Sequence, residues 1–252
     1  MIRFLTLCIL FCVMMTVAPA LAAPPVSGIP GSININLDGN NGRQSYSIPV
    51  QILLFLTLLT FLPAIVMSIT SFTRIVIVFH FLRQALGTAE TPSNQIIVGL
   101  TLFLTFFIMS PILEQVNQDA LQPMMAGTIG QAQALEAAVK PLRGFMMKYT
   151  REKDLALFLS IAKKPRPRNA DDIPTPVMIP AFMISELKTA FQIGFVLFLP
   201  FLIIDMVVAT VLLSMGMMQL PPIMVSMPFK ILLFIMVDGW NLIVGSLVKS
   251  FY

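Results

Sequence analysis

Three ionisable residues, Asp205, Lys230 and Asp238, fall inside long apolar runs. An ionised side chain at such depth is costly, so it faces protein or water and commonly pairs with an opposite charge. Asp205 precedes Met215 by ten residues, and Lys230 follows Pro222 by eight. At about 1.5 Å of helical rise per residue, the two reach similar depths on either side of the intervening turn. Pairing offsets the desolvation of both charges. The alternative is a proton relay through Asp205 and Asp238. Both signs are present, which favours pairing. Glu186 and Lys188, near the start of the same run as Asp205, are further candidates for a buried charge or a pair.

The turn between Asp205 and Lys230 reads Met215-Gly216-Met217-Met218-Gln219-Leu220-Pro221-Pro222 and carries no charge. Methionine is unbranched, polarizable and able to repack against varied surfaces. Met215, Met217 and Met218 therefore suit either of two roles. They fill an irregular gap at a hairpin tip, or they form a deformable apolar seal around a pore.

Little else offers chemistry. His80 is the lone histidine, with no carboxylate or second ligand near it in sequence. Zinc-protease, serine-hydrolase and phosphate-loop patterns are absent from the sequence. No catalytic, cofactor-binding or metal-ligating residue is expected, and the chain reads as a non-enzyme. Arg3, the apolar stretch Phe4 to Val17 and the small residues Ala20 and Ala22 form a secretory signal, with cleavage expected after Ala22. Both cysteines, Cys8 and Cys12, lie within it. Cleavage leaves a mature chain with no thiol for disulfides, catalysis or metal.

The elements that position these residues are apolar. Of 252 residues, 57% are hydrophobic and 11% charged, with a mean hydropathy of +0.87. Soluble domains carry about 25% charged residues. So few charges cannot cover a soluble globule, and lipid or apolar subunits must replace water. The net charge of +4 is modest and does not suggest nucleic acid. Four long apolar stretches run approximately Ile48–Ile69, Ile96–Leu113, Ile193–Met215 and Ile223–Leu247. Each comes close to the roughly 20 apolar residues that a membrane-spanning helix needs. Pro63, Pro111, Pro200 and Pro228 fall within or at the edge of them and favour kinks.

The expected fold is an all-α membrane protein of kinked helical hairpins with a helical periplasmic insert. Its organisation is a signal peptide at 1–22, a leader at 23–47, a first apolar helix pair at 48–113, the insert at 114–180 and a second apolar hairpin at 181–252. The leader offers either a small hairpin or loose chain. Within the insert, Gln131 to Val139 and Thr150 to Ala162 read as helices, the second with Thr150 as its N-cap. The basic run Lys163-Lys164-Pro165-Arg166-Pro167-Arg168 reads as a solvated turn. A cleaved signal places the mature N-terminus outside the cytoplasm, which makes the Phe72 to Gln95 connection cytoplasmic and the insert periplasmic.

Three blocks carry a family resemblance. One runs from Pro180 through Phe182, Ser185, Glu186, Lys188 and Gln192 to Phe195. Another joins Pro222, Met227-Pro228-Phe229-Lys230 and Val237-Asp238-Gly239-Trp240. The third links Ser71-Phe72-Thr73-Arg74-Ile75 to Leu82-Arg83 and Thr91-Pro92-Ser93-Asn94-Gln95. Together, and in their order along the chain, they resemble the FliP family of type III export-gate proteins, injectisome relatives included, from about Tyr46 onward.

The resemblance implies a non-enzymatic subunit of the flagellar export gate. Such proteins assemble as several copies, a pentamer, with FliQ and FliR, near FlhB and the basal-body MS ring in the bacterial inner membrane. Much of that assembly lies on the periplasmic side, and it passes rod, hook and filament proteins. The resemblance also implies that Met215, Met217 and Met218 belong to the gate's gasket, although relatives often have methionine where Gln219 stands. The cleavable signal and long insert look flagellar, with the injectisome counterpart and an ion-coupled transporter as alternatives.

Overall fold

The computed structural model describes residues 48–252 apart from 89–90, 165–166, 168, 170–171 and 218. The signal peptide with Ala20 and Ala22, the leader and Met218 lie outside the described residues. Every regular element among the described residues is a helix. The chain divides into a unit ending at Leu59 and a second from Thr60 to Tyr252, and the packing below is that of the second.

Helix α1 (Ile48–Ile69) is followed at once by α2 (Phe72–Ala85). The segments on either side of the break meet at 73°. Hydroxyls satisfy carbonyls that the broken ladder leaves free. Thr70 Oγ1 donates to the Val66 carbonyl at 2.5 Å and Thr73 Oγ1 to that of Met67 at 2.7 Å. The segment after Ser71 was expected as a connection, yet α2 lies at the centre of the core. Phe72, Ile75, Val78, Phe79 and Leu82 are buried along it at helical spacing.

Helix α3 (Asn94–Val116) continues through a π-helical turn at Asn117–Leu121 into α4 (Gln122–Met125). Pro123 lacks an N–H, and in a regular helix its ring would meet the Asp119 carbonyl; the widened turn gives it room. Helices α5 (Gln131–Tyr149) and α6 (Glu152–Ile161) follow. Helix α5 runs ten residues past the expected end at Val139, through Pro141. Thr150 is not an N-cap. Its hydroxyl donates back to the Met146 carbonyl at 2.7 Å, closing α5, and Arg151 takes the N-cap position of α6.

Helix α7 (Thr175–Ser214) has 40 residues, with Pro180 and Pro200 inside it. The return is divided into α8 (Pro222–Met236) and α9 (Gly239–Lys249), which meet at 65°. The sequence pattern suggested one run here. The break arises because Asp238 adopts φ 51° and ψ 52°, the left-handed region that Asp tolerates better than most residues. Gly239 is required beside it, because a Cβ there would come within 2.3 Å of the Phe234 ring. Pro63, Pro111, Pro200 and Pro228 lie inside helices that continue through them. The two sharp breaks thus fall where hydroxyls take up the freed carbonyls and where Asp238 turns left-handed, with no proline at either.

The core forms where α2 lies along α7, flanked by α3, α5 and α6. Ala181 and Ala190 are fully buried, and a Cβ on Gly194 would come within 2.5 Å of Phe81 Cδ2. Small residues on α7 therefore let the two helices approach closely. Phe182, Met178 and Phe79 fill the remaining space. Two helical stretches, Asn94–Met125 and Thr175–Ser214, are long and apolar enough to cross a membrane, or up to four spans exist if each bent pair forms one.

Candidate functional site

The two limbs of the α7–α8 hairpin each bring one charge inward. Lys230 Nζ lies 2.6 Å from Asp205 Oδ2, and Ser226, one turn before Lys230 on α8, donates its hydroxyl to Asp205 Oδ1. The Lys230 side chain is 2% exposed and that of Asp205 21%. Both carboxylate oxygens thus have a donor, as a desolvated charge requires.

That asymmetry predicts unequal mutants. Asp205→Ala strands a buried ammonium, at a cost of about 3–5 kcal/mol. Lys230→Met leaves a carboxylate that still touches Ser226 and reaches water, at about 1–3 kcal/mol. Thermal unfolding in detergent should therefore place Asp205→Ala well below Lys230→Met.

A second pair lies at the root of α7. Glu186, fully buried, accepts from Arg74 Nε at 2.8 Å on Oε2 and from Nη2 on Oε1. Arg74 is itself 3% exposed. Its Nη1 donates to the Ser250 carbonyl at 3.2 Å and hydroxyl at 3.0 Å. The guanidinium carbon stands 3.8 Å from the centroid of the Phe251 ring and 5.3 Å from that of Tyr149. One arginine thus joins α2, α5, α7 and the end of α9.

Two other candidate charges are placed differently. Lys188 and Asp238 are exposed on this chain. Lys188 is two positions beyond Glu186, which turns it about 200° round the helix. Asp238 occupies the helix break in the left-handed conformation. Neither joins Asp205 and Lys230. At the hairpin tip Met215 is 66% exposed and Met217 44%.

Arg74 and Ser250 were not singled out by sequence reasoning as partners of Glu186. Arg74 lies 112 residues from Glu186, and its only local signal was a charge followed by the apolar residues Ile75 to Val78. The polar residues of the Pro180–Phe195 block have further partners. The Ser185 hydroxyl accepts from the Arg151 N–H at 3.0 Å and donates to Asp154 Oδ2 at 2.7 Å. Arg151 Nη2 donates to Gln192 Oε1 at 2.6 Å. This block therefore positions the α5–α6 junction against α7.

These residues fall within the reach of a known family. The model of the FliP family matches residues 48–247. The chain belongs to the FliP family. It is 55% identical over 217 residues to the flagellar biosynthetic protein FliP of Bacillus subtilis (strain 168), covering 86% of this chain and 98% of that protein. The FliP of Pectobacterium carotovorum subsp. carotovorum is 52% identical over 231 residues, covering 91% of this chain and 89% of the relative. The FliP of Aquifex aeolicus (strain VF5) is 49% identical over 204 residues, or 80% and 85% of the two chains. The FliP-family match takes in both ion pairs and the methionine turn and ends three residues before Ser250. Family membership and the apolar helices together make this a membrane-embedded flagellar protein.

Proposed function

We propose that the chain is a subunit of the flagellar type III export gate. Several copies, five by family resemblance, surround a path for rod, hook and filament proteins, together with FliQ and FliR. FlhB and the MS ring are its further neighbours in the inner membrane, with much of the chain on the periplasmic side. The work is conduction and sealing rather than catalysis.

The observation that best supports this is the amount of apolar surface left open on the hairpin. Exposed apolar residues on α7 extend from Met183 to Leu213. Thirty rises of 1.5 Å make about 45 Å, against a hydrocarbon core of about 30 Å. Tilt alone would have to reach about 48° to immerse it all, beyond the usual range of 0–40°. Cover by other protein accounts for the part that tilt does not immerse. Copies of the same chain and apolar partners fit that need.

Within this reading Met215 and Met217, with Met218, border the path and close it. An ion-coupled transporter is less well supported, because Asp205 is engaged by both Lys230 and Ser226 while Asp238 stands apart at the break. Replacing Met215 and Met217 together by serine is expected to raise ion leak across the membrane severalfold with the complex intact. A tight membrane with normal filament export in that variant, or wild-type swimming in a clean deletion, overturns the reading.

A further inference from the structure

We propose that Ser250 and Phe251 form a releasable latch that holds the returning limb, α8 and α9, at the root of the outgoing limb, α7. Arg74 is the post on which the latch closes. Its consequence for the methionine tip rests on the export-gate reading; the latch itself does not.

Arg74 divides its donors between two unequal partners. Nε and Nη2 bind the buried Glu186 carboxylate in a forked, charge-assisted pair, the strong kind of hydrogen bond. Nη1 binds Ser250 through a neutral carbonyl and hydroxyl in partly buried surroundings. Below the guanidinium, the Phe251 ring supplies a cation–π contact at 3.8 Å. Tyr149 completes the hold, its hydroxyl donating to the Phe251 carbonyl and its ring meeting Phe251 edge-on at 5.3 Å. At Arg74 the root of α7 is thus held by an ion pair and the end of α9 by neutral hydrogen bonds and a cation–π contact, while nearer the tip α8 keeps its own ion pair from Lys230 to Asp205 of α7.

Packing repeats the difference. Helix α7 buries Ala181, Phe182, Ser185, Glu186 and Ala190 at its root, whereas α9 buries only Gly239 and Leu247. Beside Phe251 an open cleft of about 270 Å³ is bounded by Ile108 and Pro111 of α3 and by Tyr149. The Phe251 ring is buried between Phe145 and Tyr149 on its other sides, so opening the latch moves it out of those ring contacts and toward the cleft. When the latch opens, α9 leaves Arg74 while Glu186 stays bound. Helix α9 then shifts at the root of α7 about the remaining Lys230–Asp205 tie of α8, and the tip turn beyond that tie responds to the change in α8.

Tyr149→Phe tests this in the extracted complex, because it removes one hydrogen bond and keeps the ring. Amide exchange at Leu247 to Phe251 is expected to quicken about three- to tenfold, the worth of one net hydrogen bond. Exchange at Ser185 to Ala190 should not change. No acceleration at 247–251, or equal acceleration at both roots, overturns the latch. In cells, Tyr149→Phe and Phe251→Ala should each raise ion leak with the amount of complex unchanged. Faster exchange without leak, in a background where the Met215 and Met217 double variant does leak, overturns the coupling to the tip. If that double variant is also tight, the gate reading has failed and the latch stands on its exchange result.

Discussion

Replacement of Glu186 by alanine is expected to remove most of the folded protein from the cell and with it motility. Arg74, 3% exposed, would keep only Ser250 and two aromatic rings as partners. Breaking one member of a buried pair costs about 3–5 kcal/mol, because the remaining charge is stranded away from water. A typical domain has about 5–15 kcal/mol of net stability to lose. Glu186→Gln keeps an acceptor for the fork and should fall between wild type and alanine. The double variant Arg74→Met with Glu186→Met removes both charges at similar volume and should recover much of the loss. Membrane levels by immunoblot give the order. A Glu186→Ala chain that accumulates and melts like wild type would contradict it.

The second large effect acts on assembly instead of folding. Phe195 and Ile203 on α7 are 65% and 62% exposed. Changing both to serine leaves the chain's own packing nearly as it was, within about 0.5 kcal/mol. Burying such a side chain is worth about 1.5–3 kcal/mol. Two per copy amount to about 3–6 kcal/mol, or a loss of roughly 10² to 10⁴ in association. The variant should fold, insert and fail to join a complex.

Much of this was legible before any coordinates. Apolar runs announced the long helices, since a stretch of 20 such residues has few other solutions. The Asp205–Lys230 proximity followed from counting rises outward from one tight turn, a local measurement. Arg74 and Glu186 could not be matched that way, because their meeting depends on how α2 lies along α7. Helix α2 itself was hidden by its amphipathic pattern, whose polar residues Thr73, Arg74 and Arg83 resembled a connection. The Asp238 break was hidden as well, because a single left-handed residue leaves hydropathy unchanged. Prolines pointed elsewhere: Pro63, Pro111, Pro200 and Pro228 lie inside α1, α3, α7 and α8, whereas the sharp breaks fall at other residues.

The decisive quantity is the mass of the particle that contains this chain after mild detergent extraction. Light scattering on the wild-type complex should find several copies together with smaller apolar subunits, and the Phe195→Ser, Ile203→Ser variant should run as a folded single chain. A wild-type protein that is monomeric, stable and fully active for export would show that the open face of α7 needs no protein cover.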